Sequence, residues 1–245
     1  MKVQKNLILA TYLAGIYDVN RNETLLGDDV SIIAAWAESI IGLSLQAVVF
    51  HNSLSEKSIA KYTSHIKFVK VDFNEKYNTN NFRYFLYNDY IKKNIVDNIF
   101  ITDITDVVVL SNPFTNEFFI NNTDKIFCGD EPKLLDNEWM HAHSTHLRSK
   151  INDYTEYEEK FKNETLLNCG VIGGNRTIMQ PFLEKLCTIH EKYSINNTTA
   201  FTGDMGAFNY LLRTQYDTQI IHGTPVNTIF KMYENQREDC WFRHK

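Results

Sequence analysis

An apolar run at residues 99–102 ends in Asp103, and a second carboxylate, Asp106, follows three positions later. Open α/β sheets bind ligands beyond the carboxyl ends of their strands. Two acids delivered there suit a hard divalent cation whose other ligands are water and phosphate oxygens. From spacing alone, a turn capped by Asp103 with Asp106 in solvent explains the pattern equally well. Asn168 stands inside another apolar run, one that ends in Gly173 and Gly174. A buried amide needs partners, so it either ties down a loop or faces a ligand, and glycines there permit close backbone approach. Asp204 opens an expected helix, where plain N-terminal capping is the simpler role. His222 precedes Gly223 at an expected strand end; a lone histidine is more often structural than a metal ligand.

A competing chemistry lies in His141, His143 and His146. Three imidazoles in a short span could hold zinc, as in a metal-dependent hydrolase. No acid follows at short spacing and the segment is polar, so a solvated loop or a contribution to acceptor binding is the plainer role.

The elements that must position these residues alternate between strand and helix, the pattern of an α/β fold with a largely parallel sheet. Strands are expected at 7–10, 46–50, 66–71, 99–102, 125–128, 166–172 and 219–222. Helices are expected at 32–43 (capped by Ser31), 55–62, 81–93, 178–193 and 204–213, the last with Thr202 or Gly203 near its cap. Lys2 and Lys5 ahead of an apolar stretch imitate a signal peptide, but Thr11 and Tyr12 interrupt the stretch and no small-residue cleavage site follows, so it reads as a first buried strand. Residues 130–165 read as a long polar connection, the kind that covers a site or is mobile.

The composition fits this picture. A chain of 245 residues, 43% hydrophobic and 22% charged, can bury a sizeable core. The net charge of -5 gives no basic footprint for nucleic acid, and no run approaches a membrane span. Four cysteines, Cys128, Cys169, Cys187 and Cys240, form no CxxC pair, which suits a reducing cytoplasm.

Taken in order, Ala10-Thr11-Tyr12-Leu13-Ala14-Gly15, Val49-Phe50-His51-Asn52, Arg83-Tyr84, Thr102-Asp103-Ile104-Thr105-Asp106-Val107, Asn112-Pro113-Phe114, Asn168-Cys169-Gly170-Val171-Ile172-Gly173-Gly174 and Asp204-Met205-Gly206-Ala207-Phe208-Asn209 resemble the GT-A-fold glycosyltransferases, nucleotide-sugar-dependent enzymes with an Asp-x-Asp metal motif. The resemblance spans roughly residues 7 to 223. One departure is that this chain carries Asp-x-x-Asp, which leaves open which carboxylate ligates directly.

The resemblance implies one domain over 1–245 with a Rossmann-like, mostly parallel sheet. It implies a nucleoside-diphosphate sugar donor of UDP or GDP type, with the nucleoside held by Ala10, Thr11, Tyr12 and Gly15 and by His51 and Asn52. Arg83 would pair with donor phosphate or position Asp103. Asp103, Asp106 and His222 would hold a divalent cation, Mn²⁺ rather than Mg²⁺ because of the imidazole. Asn168 and the Gly173-Gly174 turn would face donor sugar or acceptor. Asp204 would lie near the reacting carbon, as a base in an inverting enzyme or as an orienting group in a retaining one, with a slight lean to the latter. Residues 130–165 would meet a carbohydrate or glycoconjugate acceptor through Glu131, Trp139, Tyr154, Tyr157 and Glu158. A lipid-linked acceptor would be met transiently at a membrane surface. A non-catalytic nucleotide-sugar-binding module is the remaining alternative; the intact acids argue against it.

Overall fold

The computed structural model describes residues 5–18, 22–195, 203–234 and 237–245. The chain opens with β1 (Asn6–Tyr12), the short pair β2 (Tyr17–Asp18) and β3 (Glu23–Thr24), and then α1 (Ala34–Gly42) and β4 (Ala47–His51). It continues through α2 (Glu56–Ile59), β5 (Ile66–Lys70), α3 (Thr79–Lys93), β6 (Asn98–Thr102) and β7 (Val107–Val109). There follow α4 (Glu117–Ile120), β8 (Ile126–Leu134), α5 (Glu138–His143), α6 (Thr145–Arg148), α7 (Tyr154–Phe161) and β9 (Thr165–Asn175). The described chain closes with α8 (Arg176–Tyr193), α9 (Asp204–Gln215), β10 (Ile220–His222) and β11 (Phe242–His244).

Seven strands form the central sheet in the order β10-β8-β9-β6-β1-β4-β5. The pairs β6–β1, β1–β4, β4–β5 and β8–β10 are parallel, while β9 runs antiparallel to both β6 and β8. β4 and β6 are buried at every position, as strands covered on both faces must be. One face packs on α3, α8 and α9 through Tyr84, Ile91, Phe182 and Phe208. The other packs on α1 and on an aromatic group of Phe100, Phe119, Phe127 and Trp241.

The expected strands and helices are present, the first residues forming β1, with several differences. Asp29 rather than Ser31 caps the first helical turn, its carboxylate accepting from the Ser31 N–H. Residues 130–165 are not a long loop. They finish β8 and carry α5, α6 and α7, whose buried Met140, Leu147, Tyr154 and Phe161 form a packed face. Gly203 caps α9 in the left-handed region, φ 65°, a conformation glycine adopts without strain; Thr202 lies outside the described residues. The last residues, beyond the span of the resemblance, include β11, which pairs antiparallel with β7.

Candidate active site

The site forms where β1 and β6 end. Asp103 follows β6, and its backbone N–H donates to the Gly170 carbonyl of β9 at 2.8 Å. The preceding Thr102 hydroxyl accepts from the Trp36 indole at 2.8 Å, so the strand end is fixed from both sides. Asp106 ends the bend that leads into β7. That strand's pairing with β11 sets His244 opposite Val107, and the Lys245 N–H donates to the Asp106 carbonyl at 2.9 Å. Asp103, Asp106 and His244 each offer a ligand atom within 4.8 Å of the other two, with His244 Nε2 4.0 Å from Asp106 Oδ2. Two carboxylates and an imidazole are a donor set for a divalent transition metal. Gly170 makes room for the imidazole, since a Cβ there would lie 2.3 Å from His244 Cε1. The Phe230 ring packs on the imidazole, centroids 4.5 Å apart.

Arg83, on α3 and 6% exposed, links this cluster to the neighbouring acid. One guanidinium nitrogen binds Asp103. The other lies 3.6 Å from Asp204 Oδ2 and donates to Tyr84 Oη and Cys169 Sγ, both at 3.2 Å. Its Nε donates to the Asn80 carbonyl at 3.1 Å. The Nε hydrogen and both Nη2 hydrogens are thus used within the protein, and Nη1 binds Asp103. The Cys169 thiol also donates to Asp204 at 3.6 Å, and burial pushes its pKa up, so it stays protonated. Asn168, 6% exposed, donates to Glu131 Oε1 at 2.8 Å and accepts from the Gly170 N–H at 2.7 Å.

These groups line a cleft of about 420 Å³ that also includes Asp18, Asn80, Lys133, Trp139, Met205 and Lys231. Its size is that of a small-molecule site. A smaller recess opens from it beside Asp103 and Arg83, walled by Thr11, Leu13, Ile16 and Leu25. Carboxylates outnumber cations around the cleft, which attracts a metal ion and, without one, repels a diphosphate. Trp139 stacks on His143 at 3.6 Å between centroids. Burial holds His143 below the usual imidazole pKa, with the charge of Asp204 acting in the opposite direction.

Thus Thr11, Arg83, Asp103, Asp106, Asn168 and Asp204 gather at one cleft, and Glu131 and Trp139 border it. Other expected residues do not. His222 hydrogen-bonds Asp130 Oδ2 at 2.8 Å; it sits on β10, separated from β6 by β8 and β9, and His244 occupies the place by the two acids. Gly173 and Gly174 are no turn at a ligand. They lie inside β9, where a Cβ on Gly173 would meet the Phe100 ring at 2.3 Å and one on Gly174 the Lys125 carbonyl at 2.7 Å. Ala10 and Tyr12 are fully buried. Asn52 is spent on both backbone groups of Ala14, at 2.9 Å each, and His51 accepts from the Leu54 N–H. Gly15 serves the β1 loop, bonding the Leu25 carbonyl. Tyr154 and Tyr157 are buried against Tyr210 of α9, and Glu158 pairs with Arg148.

The three histidines of the hydrolase alternative do not converge. His141 is held by Asp136 at 2.7 Å, His143 by Trp139, and His146 points to Ser194 Oγ at 3.4 Å. Sequence reasoning missed His244, Asp18, Asn80, Met205 and Phe230. A histidine two residues after an apolar pair, Trp241 and Phe242, was the one available sign of His244.

No protein-family model matches the chain, and no curated protein sequence does. Several solved structures are similar, among them two of one enzyme. One is galactosyltransferase LgtC in complex with donor and acceptor sugar analogs, with TM-score 0.54 and 14% identity over 97% of this chain and 86% of that one. The other is an active-site mutant of LgtC, with TM-score 0.55 and the same identity and coverage. Across nearly its whole length, the chain has the mixed α/β fold of these GT-A glycosyltransferases.

Proposed function

We propose that the chain is a single-domain, metal-dependent glycosyltransferase that moves a sugar from a nucleoside diphosphate, of UDP or GDP type, to a carbohydrate or glycoconjugate acceptor. The observation that carries this reading is the Asp103–Asp106–His244 cluster beside the buried Arg83–Asp204 pair, at the strand ends of a GT-A fold. The two acids and the imidazole would hold the cation, and the imidazole favours Mn²⁺ over Mg²⁺. Bound there, the metal would supply Lewis acidity to the departing diphosphate.

The chain's own groups do the rest. Thr11, Leu13 and Ile16 wall the small recess beside Asp103 that would meet one edge of the nucleoside. Arg83 spends most of its N–H groups on protein partners, so its main role is to position Asp103 and Asp204. Asp204 is already engaged by Arg83 and Cys169. A carboxylate so held suits accepting a donor-sugar hydroxyl and stabilising positive charge at the reacting carbon, the retaining role, better than removing a proton. Asn168 keeps Glu131 at the acceptor side, and Trp139 offers a ring face for an acceptor sugar. Among the described residues no helix is long and apolar enough to cross a membrane. The four free, buried thiols support a reducing, cytoplasmic setting.

Calorimetry with UDP, GDP and their sugars tests the reading. Binding is expected only with Mn²⁺ or Mg²⁺, and Asp103→Asn, Asp106→Asn or His244→Ala should each weaken it at least about tenfold. His222→Ala should leave nucleotide affinity unchanged. Metal-independent binding, or none to any nucleotide, would sink the proposal. Release of sugar from a bound donor separates an enzyme from a mere binding module.

A further inference from the structure

A second cavity, of about 480 Å³, adjoins the cleft and shares Glu131 and Lys133 with it. It lies between the end of β8 and the segment after β10, and Asp130, Leu134, Thr165, Thr224 and Ile229 line it. We propose that this cavity is an acceptor subsite that takes a neutral sugar residue, so that the acceptor is at least a disaccharide. The proposal rests on the glycosyltransferase reading and adds the acceptor class to it.

Four observations point this way. First, the shared wall is built: Asn168, from the reaction cleft, donates to Glu131 at 2.8 Å, so a chain of two sugars could pass over Glu131 with one ring on either side. Second, Asp130 is held in place. His222 bonds its Oδ2 at 2.8 Å, and a Cβ on Gly223 would lie 3.0 Å from the same oxygen. The His222-Gly223 pair, unused by the metal cluster, thus has a role in orienting an acceptor of sugar hydroxyls. Third, the lining mixes these acids and two threonine hydroxyls with Leu134 and Ile229, which are 50% and 44% exposed. Polar edges with exposed aliphatic faces match a pyranose ring, which presents hydroxyls around its rim and C–H groups on its faces. Fourth, the charge selects. Among the described residues, Asp130 and Glu131 face Lys133 in the lining, and Arg237, which reaches Thr224, is itself paired with Glu234 and Asp239, so the wall repels a carboxylate or phosphate and favours a neutral sugar over an acidic one.

Saturation-transfer NMR on the full chain with UDP and Mn²⁺ tests this, using lactose, maltose, cellobiose and chitobiose beside glucose, galactose and N-acetylglucosamine. At least one disaccharide is expected to bind about tenfold or more tightly than its component monosaccharides. Leu134→Trp, which fills the cavity from an exposed position, and Asp130→Asn should remove that advantage while UDP affinity stays at the wild-type level. Equal binding of every disaccharide and its monosaccharides, or an advantage that survives both variants, overturns the subsite and leaves the donor reading standing. Failure of UDP and Mn²⁺ to bind overturns the donor reading and the subsite with it.

Discussion

Gly170 is the position at which a single methyl group tests the metal site. Its added carbon would meet His244 Cε1 at 2.3 Å and Asn168 Oδ1 at 3.0 Å, and neither can retreat. His244 is 2% exposed, and Asn168 is bonded to Glu131. Gly170→Ala is therefore expected to destabilise the chain by about 1–3 kcal/mol, the usual range for overpacking, and to lower Mn²⁺ affinity by displacing the imidazole. Urea unfolding and a Mn²⁺ titration followed by electron paramagnetic resonance measure the two effects; wild-type Mn²⁺ affinity would rule out the ligand role of His244. At this scale the acids were readable, because Asp103 directly follows a strand whose apolar run is unmistakable and Asp106 comes three residues later. The third member was not. His244 reaches the acids through the pairing of β11 with β7 across more than a hundred residues of sequence, and three-residue strands carry almost no periodic signal. His222 ends a more obvious strand, yet nothing in the sequence says that two strands separate it from the acids.

The elements that aim the site are joined by a few saturated polar groups, and Asn209 of α9 is the clearest. Fully buried, it accepts from the Leu167 N–H at 3.0 Å and donates to the carbonyls of Leu167 and Met205 at 2.8 and 2.9 Å. It fastens α9, which begins with Asp204, to β9 one residue before Asn168. Asn209→Ala leaves both Leu167 backbone groups without this partner in the interior. The expected loss is roughly 3 kcal/mol, since a stranded buried group costs about 1–3 kcal/mol, together with a larger fall in kcat than the stability change explains at a temperature where the variant is folded. Denaturation and turnover of the folded variant check this, and a loss near zero would show that α9 is held by its apolar face alone. Sequence periodicity located α9 and β9, but it could not assign the direction of β9. An antiparallel strand amid parallel ones has the same buried run, and the Gly173-Gly174 pair that resembles a ligand turn instead admits the Phe100 ring. The three helices within 130–165 were hidden by their charged outer faces, each contributing only one to three buried side chains.

Across the whole molecule, the face of the sheet behind the site stores a pH dependence. Burial pushes His190 down to about 3 and His146 down to about 4 from the ordinary 6.5. Both imidazoles turn to the one hydroxyl of Ser194, at 3.1 and 3.4 Å. Both are neutral in the folded chain at neutral pH, whereas the unfolded chain binds protons on them as the pH falls below 6.5. Their contribution to stability is thus complete above about pH 6.5 and is lost as the pH falls towards the folded values, with a slope for His190 of up to about 1.4 kcal/mol per pH unit. The consequence reaches the site, because His190 stacks on Tyr84 at 5.7 Å and Tyr84 accepts from Arg83, while His146 lies under Gly203, just before Asp204. Acid therefore lowers the free energy that keeps this support of the Arg83–Asp204 pair folded, through protonation of the two imidazoles in the unfolded chain. Urea unfolding of the wild type between about pH 7 and about pH 5 should show a falling free energy, and His190→Leu should flatten that fall. If the two proteins lose stability in parallel over this range, His190 is not the group that titrates on unfolding, and the acid sensitivity comes from His146 and other groups instead.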